Sequence, residues 1–276
     1  MDRMLPGSSR LQSTDEMIHE INHLIHFILD KGWMLKEWQK LESGEDFSKV
    51  HPLVVVAFKA HQQIKEFMAK DTLGMTEDIF ALAELAMKIN NLEKCSVIAL
   101  DKRLRDLTSM DFTLYRTARY EIQIAGMLLQ RGHHVSFIEE SDKKTPDILV
   151  SNSNGNCEVE CKHKDPTVDQ IDYIRSVYNN TQTARKQFSK TCPGIITIEI
   201  DKLHFKDFKI EIERLKEEVF RAMRNSSSIS AILLTSKVFM ADEGDYIYRH
   251  LVKGFFSFKP RYVIPEWLSK NLVNMN

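Results

Sequence analysis

Asp147, Glu160 and Lys162 are residues whose types and spacing could support hydrolytic chemistry. Side chains alternate along a strand, so Glu160 and Lys162 share one face of the segment that contains them. Carboxylate oxygens are the ligands that Mg²⁺ and Mn²⁺ prefer, and a divalent cation relieves the repulsion between two neighbouring carboxylates. The pattern therefore predicts that Asp147 and Glu160 bind Mg²⁺ or Mn²⁺, while Lys162 orients a water or stabilises developing charge.

A tight hairpin is expected to bring these residues together. The pair Asn154-Gly155 separates two short apolar runs, and such a pair favours a type I′ turn because both central positions need a positive φ. With these turn residues, Asp147 lies opposite Lys162 and one diagonal step from Glu160. The residues also leave open an alternative, in which the hairpin is solvated and its charged face only meets water.

The motif Pro146-Asp147 followed by Glu160-Cys161-Lys162 resembles the PD-(D/E)xK superfamily of restriction-endonuclease-like nucleases. The resemblance extends over roughly residues 109–236, because the superfamily core is a helix, three strands, a helix and a further strand in that order. It implies a metal-dependent nuclease that hydrolyses phosphodiester bonds. It also implies DNA rather than RNA as the substrate, and a possible homodimer that cuts both strands.

The resemblance assigns provisional roles to residues on the two helices that flank the motif. In such enzymes a glutamate of the leading helix often completes the metal site, and Glu121 occupies the matching place. A glutamine or lysine of the following helix often lies near the site, and Gln187 is the better match there. The residues alone leave both open, because Glu121 could lie at the edge of the buried helix face and Gln187 on a solvated face.

Basic residues near the end of the second flanking helix are candidates for binding nucleic acid. Arg185, Lys186 and Lys190 could contact phosphates, which are the part of a nucleic acid that is bound independently of its sequence. The alternative is that these residues form a solvated helix face.

The elements that must position these residues follow from the hydrophobic periodicity. Residues 1–108 show helical spacing and predict an all-α domain of three to five helices. Residues 109–276 predict an α/β domain with a mixed sheet flanked by helices, a restriction-endonuclease-like core. Its expected helices are Thr108–Gln130, Thr167–Ser189 and Lys206–Arg224, and its expected strands are His134–Ile138, Asp147–Ser151, Cys157–His163, Gly194–Ile200 and Ser230–Thr235. A hairpin is expected within Tyr246–Phe258, and Gly132 is expected to end the first of these helices.

Composition limits the functional classes. The formal net charge is −1, so any contact with nucleic acid must be a local patch. Four cysteines without a paired CxxC pattern favour a reducing, cytoplasmic setting, and no apolar stretch is long enough to span a membrane. Two apparent sites are better explained without chemistry. His19, His23 and His26 have the spacing of metal ligands on a helix, but no carboxylate or cysteine cluster must join them, so a polar helix face or an interface is favoured. Cys157 and Cys161 are expected to be buried in a strand as small hydrophobic residues.

Two other functional classes remain open from the sequence. The chain could be a catalytically inactive nuclease-fold module that binds nucleic acid or scaffolds a partner. Alternatively, the helical residues 1–108 could bind a partner protein and carry the function themselves.

Overall fold

The structure is a computed structural model that describes residues 14–28, 31–70, 76–139, 145–163, 173–189, 191–200, 208–224, 226–242 and 245–273. Among these residues the α-helices are α1 (Thr14–His23), α2 (Lys31–Glu42), α3 (Pro52–Ala69), α4 (Glu77–Lys94), α5 (Leu100–Leu107), α6 (Phe112–Gln130), α7 (Tyr173–Ala184), α8 (Phe208–Arg224) and α9 (Glu266–Val273). The strands are β1 (His134–Phe137), β2 (Ile148–Asn152), β3 (Gly155–Lys162), β4 (Gly194–Glu199), β5 (Ile229–Asp242) and β6 (Asp245–Phe256).

The six strands form one mixed sheet in the order β1-β2-β3-β4-β5-β6. Strands β1, β2 and β3 pair antiparallel, β3, β4 and β5 pair parallel, and β6 returns antiparallel to β5. Parallel neighbours need a crossover connection, and α7 and α8 supply the two crossovers. The expected mixed sheet flanked by helices is therefore confirmed, and the described elements before residue 108 are all helices joined by turns.

The leading helix α6 has clear start and stop signals. Asp111 caps its N-terminus, because its Oδ1 accepts hydrogen bonds from the backbone N–H of Thr113 and Leu114. At the other end Gly132 has a φ of +81°, and its N–H donates to the Leu129 carbonyl. The prediction that Gly132 ends this helix is confirmed.

The β2–β3 hairpin forms with a different turn from the predicted one. Asn152 pairs with Gly155, so the two loop residues are Ser153 and Asn154. The Asn152 side chain accepts a hydrogen bond of 2.7 Å from the Asn154 N–H, which stabilises the turn at this position. The prediction of Asn154-Gly155 as the turn was wrong by one residue.

The observed register changes which residues of the motif face each other. Ile148 pairs with Val159, and one further step places Asp147 opposite Glu160 rather than opposite Lys162. The partner of each residue moves by two positions, which preserves the face of the sheet because side chains alternate with a period of two. Asp147, Glu160 and Lys162 therefore still share a face, with the two carboxylates directly opposite each other.

Two other predicted elements also differ from the structure. The helix expected at Thr167–Ser189 ends at Ala184, and a turn follows in which the Gln187 N–H donates to the Ala184 carbonyl. The turn brings the Ser189 N–H to the side chain of Glu158, which a continued helix would not allow. The hairpin expected within Tyr246–Phe258 is instead formed by β5 and β6, because that segment continues as one strand.

Buried side chains form one cluster on each face of the sheet. The first cluster joins α2–α6 to one sheet face, where Val159, Cys161 and Ile195 are buried. The second joins α7 and α8 to the other face at Ile196 and Ile198. Because the first cluster runs from the N-terminal helices into the sheet, residues on both sides of position 108 share buried contacts. A division into two domains at residue 108 stays a prediction.

Among the described helices, none is long and apolar enough to cross a membrane.

Close packing of α4 against α6 at Gly126 gives a test of this arrangement. A Cβ atom at Gly126 would lie 2.7 Å from both Cβ and Cγ of Lys88, which are atoms near the backbone of α4. We expect Gly126→Ala to lower the free energy of unfolding in urea by about 1–3 kcal/mol, because the helices must separate. Helix propensity alone would raise the free energy of unfolding by about 1 kcal/mol. The sign of the measured change therefore shows whether the close packing or the helix propensity dominates. A stabilised Gly126→Ala variant would contradict the packing.

Candidate metal centre

Asp147 lies at the point where the β2–β3 ladder ends. Its Oδ2 accepts a hydrogen bond of 2.7 Å from the backbone N–H of Cys161, so the carboxylate is fixed beside the last residues of β3. Burial raises the pKa of Asp147, while the Cys161 N–H and the Lys162 ammonium group act in the opposite direction. The side chain is thus held in place in an environment that disfavours its charge.

Glu160 is fully buried, with 0% of its surface exposed. Its Oε1 forms an ion pair with Lys162 Nζ, and its Oε2 has no hydrogen-bond donor among the described residues. Burial and the neighbouring Asp147 raise the pKa of Glu160 to about 8, although Lys162 opposes the shift. Burial lowers the pKa of Lys162, but the nearby carboxylates outweigh this effect and raise it. The ammonium group therefore compensates part of the buried negative charge.

Glu121 approaches the same place from the opposite side of the sheet, because α6 packs on the face that carries Cys161. It is buried, and its Oε2 accepts a hydrogen bond from Arg103 Nε. Burial and the nearby Asp147 raise the pKa of Glu121 to about 8, and Arg103 opposes the shift. Glu121 is thus electrostatically linked to the motif, but Arg103 binds its carboxylate.

Sequence reasoning missed Arg103. This side chain is buried on α5, and its guanidinium group lies 5.2 Å from the centre of the Phe137 ring. A signal was present, because Leu100, Arg103 and Leu107 form one stripe of a short helix whose other members are apolar. A lone arginine on such a stripe indicates a buried anionic partner, but it does not identify that partner.

The oxygen donor atoms are of the type that binds a divalent cation, but only two of the three expected carboxylates are placed to share one. Asp147 and Glu160 provide hard oxygen donors from adjacent positions, and Glu160 Oε2 lacks a protein donor. Within the described parts of the chain, however, no three acidic, histidine or cysteine side chains form a group that could hold a metal ion as they stand. Glu121 would join the other two only after it releases Arg103.

The remaining predicted residues lie further along the structure. Gln187 belongs to the turn after α7, and its Oε1 is buried without a hydrogen-bond partner among the described residues. Arg185 and Lys186 occupy the same turn, while Lys190 lies outside the described residues. This turn contacts Glu158 through Ser189, two residues before Glu160 on the same face of β3. Direct roles for these residues stay predictions.

A polar groove between α7 and α8 was not predicted. It encloses about 510 Å³, and its lining side chains are Ile174, Arg175, Tyr178, Asn179, Arg214, Glu217, Glu218 and Arg221. The guanidinium group of Arg221 stacks on Tyr178 at 4.5 Å from the ring centre. No sequence pattern marks this groove, because its arginines come from two helices that only the crossover topology places side by side.

Comparison of the sequence with known protein families and with characterised proteins gives no match. Any statement about activity therefore depends on the geometry of this centre and on the resemblance of its motif.

The raised pKa values predict how stability depends on pH without metal. The usual value for a glutamate is 4.5, and the pKa of Glu160 in the folded protein is about 8. Between these values the folded chain binds a proton that the unfolded chain has released, so stability falls as pH rises through this window. We expect Glu160→Gln to be more stable than wild type at pH 8 in EDTA by several kcal/mol, and by about 1 kcal/mol or less near pH 5.

Glu199→Gln is the control with the opposite sign in the same urea titrations. Despite burial, Arg119 and His163 hold the pKa of Glu199 well below its usual range, so its charge stabilises the folded state at pH 8. This variant should therefore lose stability at pH 8. If the stability of wild type and of Glu160→Gln depended on pH in the same way, the raised pKa of the buried Glu160 would be wrong.

Proposed function

We propose that this chain is a Mg²⁺- or Mn²⁺-dependent nuclease that hydrolyses phosphodiester bonds, most favourably in DNA. The observation that carries the proposal is the placement of Asp147 opposite a fully buried Glu160 whose Oε2 has no donor among the described residues. Two carboxylates in this position are costly without a cation, and Lys162 compensates only one oxygen atom.

The order of elements supports the same proposal. The chain runs α6-β1-β2-β3-α7-β4, which agrees with the helix, three strands, helix and strand of the PD-(D/E)xK superfamily. Asp147 directly precedes β2, and Glu160 and Lys162 lie among the last residues of β3. We therefore extend the proposal to the fold and regard residues 109–236 as a restriction-endonuclease-like core.

Each side chain of the centre has a distinct proposed task. A bound divalent cation would polarise the scissile phosphate and lower the pKa of a bound water. Asp147 and Glu160 would hold that cation, and the Cys161 N–H keeps the Asp147 carboxylate oriented. Lys162 Nζ, already at the Glu160 carboxylate, would orient the attacking water or stabilise charge on the phosphate. Glu121 would serve as the third ligand once Arg103 turns away from it.

The groove between α7 and α8 supports a nucleic acid as the substrate. Both helices cover the sheet face to which Glu160 belongs, because Glu160 pairs with Ile196 and Ile196 packs against these helices. Arg175, Arg214 and Arg221 could contact backbone phosphates, and Tyr178 could stack against a base. Together with Arg185 and Lys186, they form the proposed binding surface.

A second candidate function has an observation of its own in its favour. Lys162 pairs with Glu160 and Arg103 pairs with Glu121, so basic side chains compensate two of the three carboxylates without a cation. Such a centre suits a nuclease-fold module that binds nucleic acid without cutting it. Binding of an oligonucleotide in EDTA, together with no cleavage in Mn²⁺, would favour this candidate.

Activity measurements on purified protein test the proposal. With plasmid, single-stranded DNA and RNA, we expect Mn²⁺-dependent cleavage that EDTA abolishes. Asp147→Asn, Glu160→Gln and Lys162→Met should each lower the cleavage rate by about 10²–10⁴-fold, because each removes a proposed ligand or the charge that assists the water. Rates would be read from gel band intensities over time.

Glu158→Gln is the matched control for this experiment. Glu158 lies on the same face of β3, but its Oε2 binds the Ser189 N–H at 2.7 Å, and a glutamine oxygen can accept the same bond. The control should therefore retain the wild-type rate within about twofold. If cleavage persisted at the wild-type rate in Asp147→Asn or Lys162→Met, the proposed centre would be wrong.

A further inference from the structure

An aromatic side chain is exposed just beyond the end of β6. Phe258 keeps 82% of its surface exposed, the largest fraction among the large hydrophobic side chains that the structure describes. Its ring stacks on the ring of Phe220 of α8, with 4.8 Å between the ring centres and 28° between the ring planes. Phe220 in turn meets the buried Phe255 edge to face. One face of the Phe258 ring is therefore held against the protein, and the other is open to solvent.

The segment that carries this ring is basic and aromatic. Between Asp245 and Glu266 the sequence has no aspartate or glutamate, but it has four lysine or arginine residues and six tyrosine or phenylalanine residues. Lys253, Lys259 and Arg261 are exposed, and none of them forms an ion pair with another described residue. Positive charge therefore surrounds the exposed ring, and no acidic side chain of the same segment compensates it.

The end of α8 adds to the same surface. The Arg261 N–H donates to the Ser227 carbonyl at 2.7 Å, so the segment lies beside the residues that follow α8. Arg224, the last residue of α8, is exposed and lies one helical turn beyond Phe220 on the same side of the helix. It is also three residues beyond Arg221, which lines the groove between α7 and α8. Basic side chains therefore lead from that groove across α8 to the stacked rings.

The sheet register places these rings on the same side of the sheet as Glu160. Glu160 pairs with Ile196 of β4, and Ile196 pairs with Ile232 of β5. Ile232 pairs with Phe255 of β6, and all three of these apolar residues belong to the cluster under α7 and α8. Neighbouring strands are about 4.8 Å apart, so the backbones at Glu160 and Phe255 are roughly 14 Å apart. The rings thus lie beside the candidate metal centre and outside it.

A single-stranded nucleic acid suits this surface better than a duplex or a protein does. An exposed ring can stack on a base only where that base is unpaired, because the bases of a duplex stack on one another. Lysine and arginine next to the ring can bind backbone phosphates at the same time. Lysine is depleted in protein–protein interfaces, so a ring flanked by lysines is less suited to a partner protein.

We propose that Phe258, together with Arg224, Lys259 and Arg261, forms a base-stacking site for single-stranded nucleic acid. One unpaired base stacks on the open face of Phe258, and the phosphates on either side of it contact the basic side chains. This site deepens the proposed function and rests on it in taking a nucleic acid as the ligand. It uses none of the proposed metal ligands, so binding can be measured in EDTA without cleavage.

Fluorescence anisotropy of the full chain in EDTA tests this site with a labelled single-stranded DNA oligonucleotide. Phe258→Ala should weaken the affinity by about tenfold because the stacking of one base is lost, whereas Phe258→Tyr should keep it within about twofold. Phe47→Ala is the matched control. Phe47 is also an exposed phenylalanine, with Lys59 Nζ 5.2 Å from its ring centre, but it lies between α2 and α3. This control should bind as the wild type does.

An abasic oligonucleotide separates stacking from other effects of the substitutions. It keeps the phosphates and lacks the bases, so the wild type and Phe258→Ala should bind it equally. Lys259→Met should instead weaken the binding of both oligonucleotides, and it should reduce the slope of log affinity against log salt by about one. Lys36→Met, which removes an exposed lysine from α2, should change neither affinity.

Equal affinity of the wild type and Phe258→Ala for the single strand would overturn the proposal, as would equally tight binding of the wild type to a duplex of the same sequence. A wild-type chain that binds no oligonucleotide, but forms a dimer that Phe258→Ala dissociates, would assign the surface to a second copy instead. Binding through Phe258 without any cleavage in Mn²⁺ would support this site and contradict only the proposed nuclease activity. Cleavage by a chain whose affinity does not depend on Phe258 would contradict only this site.

Discussion

The burial of two carboxylates opposite each other is the constraint on which the rest of the centre depends. Asp147 and Glu160 face each other where β2 begins and β3 ends, and Glu160 has no exposed surface. A buried carboxylate without partners costs several kcal/mol, so the surrounding chain must supply compensation. The Cys161 N–H and the Lys162 ammonium group supply part of it from β3 itself. A divalent cation would supply the rest.

These groups come together because the two faces of β3 contact different helices. Val159 and Cys161 pack into the core against α6, which fixes the strand. Glu158, Glu160 and Lys162 then project to the α7 and α8 side, where Ser189 binds Glu158 and anchors the turn after α7. The close approach of α4 to α6 at Gly126 keeps α6 in place, and α6 in turn carries Glu121 and Arg119. Alternation along β3 thus sends Val159 and Cys161 to one face of the sheet and Glu158, Glu160 and Lys162 to the other.

Patterns with a local physical cause could be predicted from the sequence. Alternation predicted the face shared by Glu160 and Lys162, and the glycine cap predicted the end of α6. The hairpin register could not be predicted, because two candidate turns differ by one residue and the side chain of Asn152 decides between them. The partnership of Arg103 with Glu121, and that of Arg119 with Glu199, depends on packing between distant segments. Residue spacing can mark Arg103 as a buried arginine, but it cannot identify the partner of either arginine.

Titration with Mn²⁺, followed by electron paramagnetic resonance, tests the central claim most directly, because the six-line signal of free Mn²⁺ weakens when the ion binds protein. We expect the wild-type chain to bind Mn²⁺, and Asp147→Asn and Glu160→Gln each to weaken binding by roughly tenfold or more. Glu158→Gln should bind as the wild type does. A wild-type chain that leaves the signal unchanged, or a Glu160→Gln variant that binds Mn²⁺ equally well, would contradict a metal centre at these carboxylates.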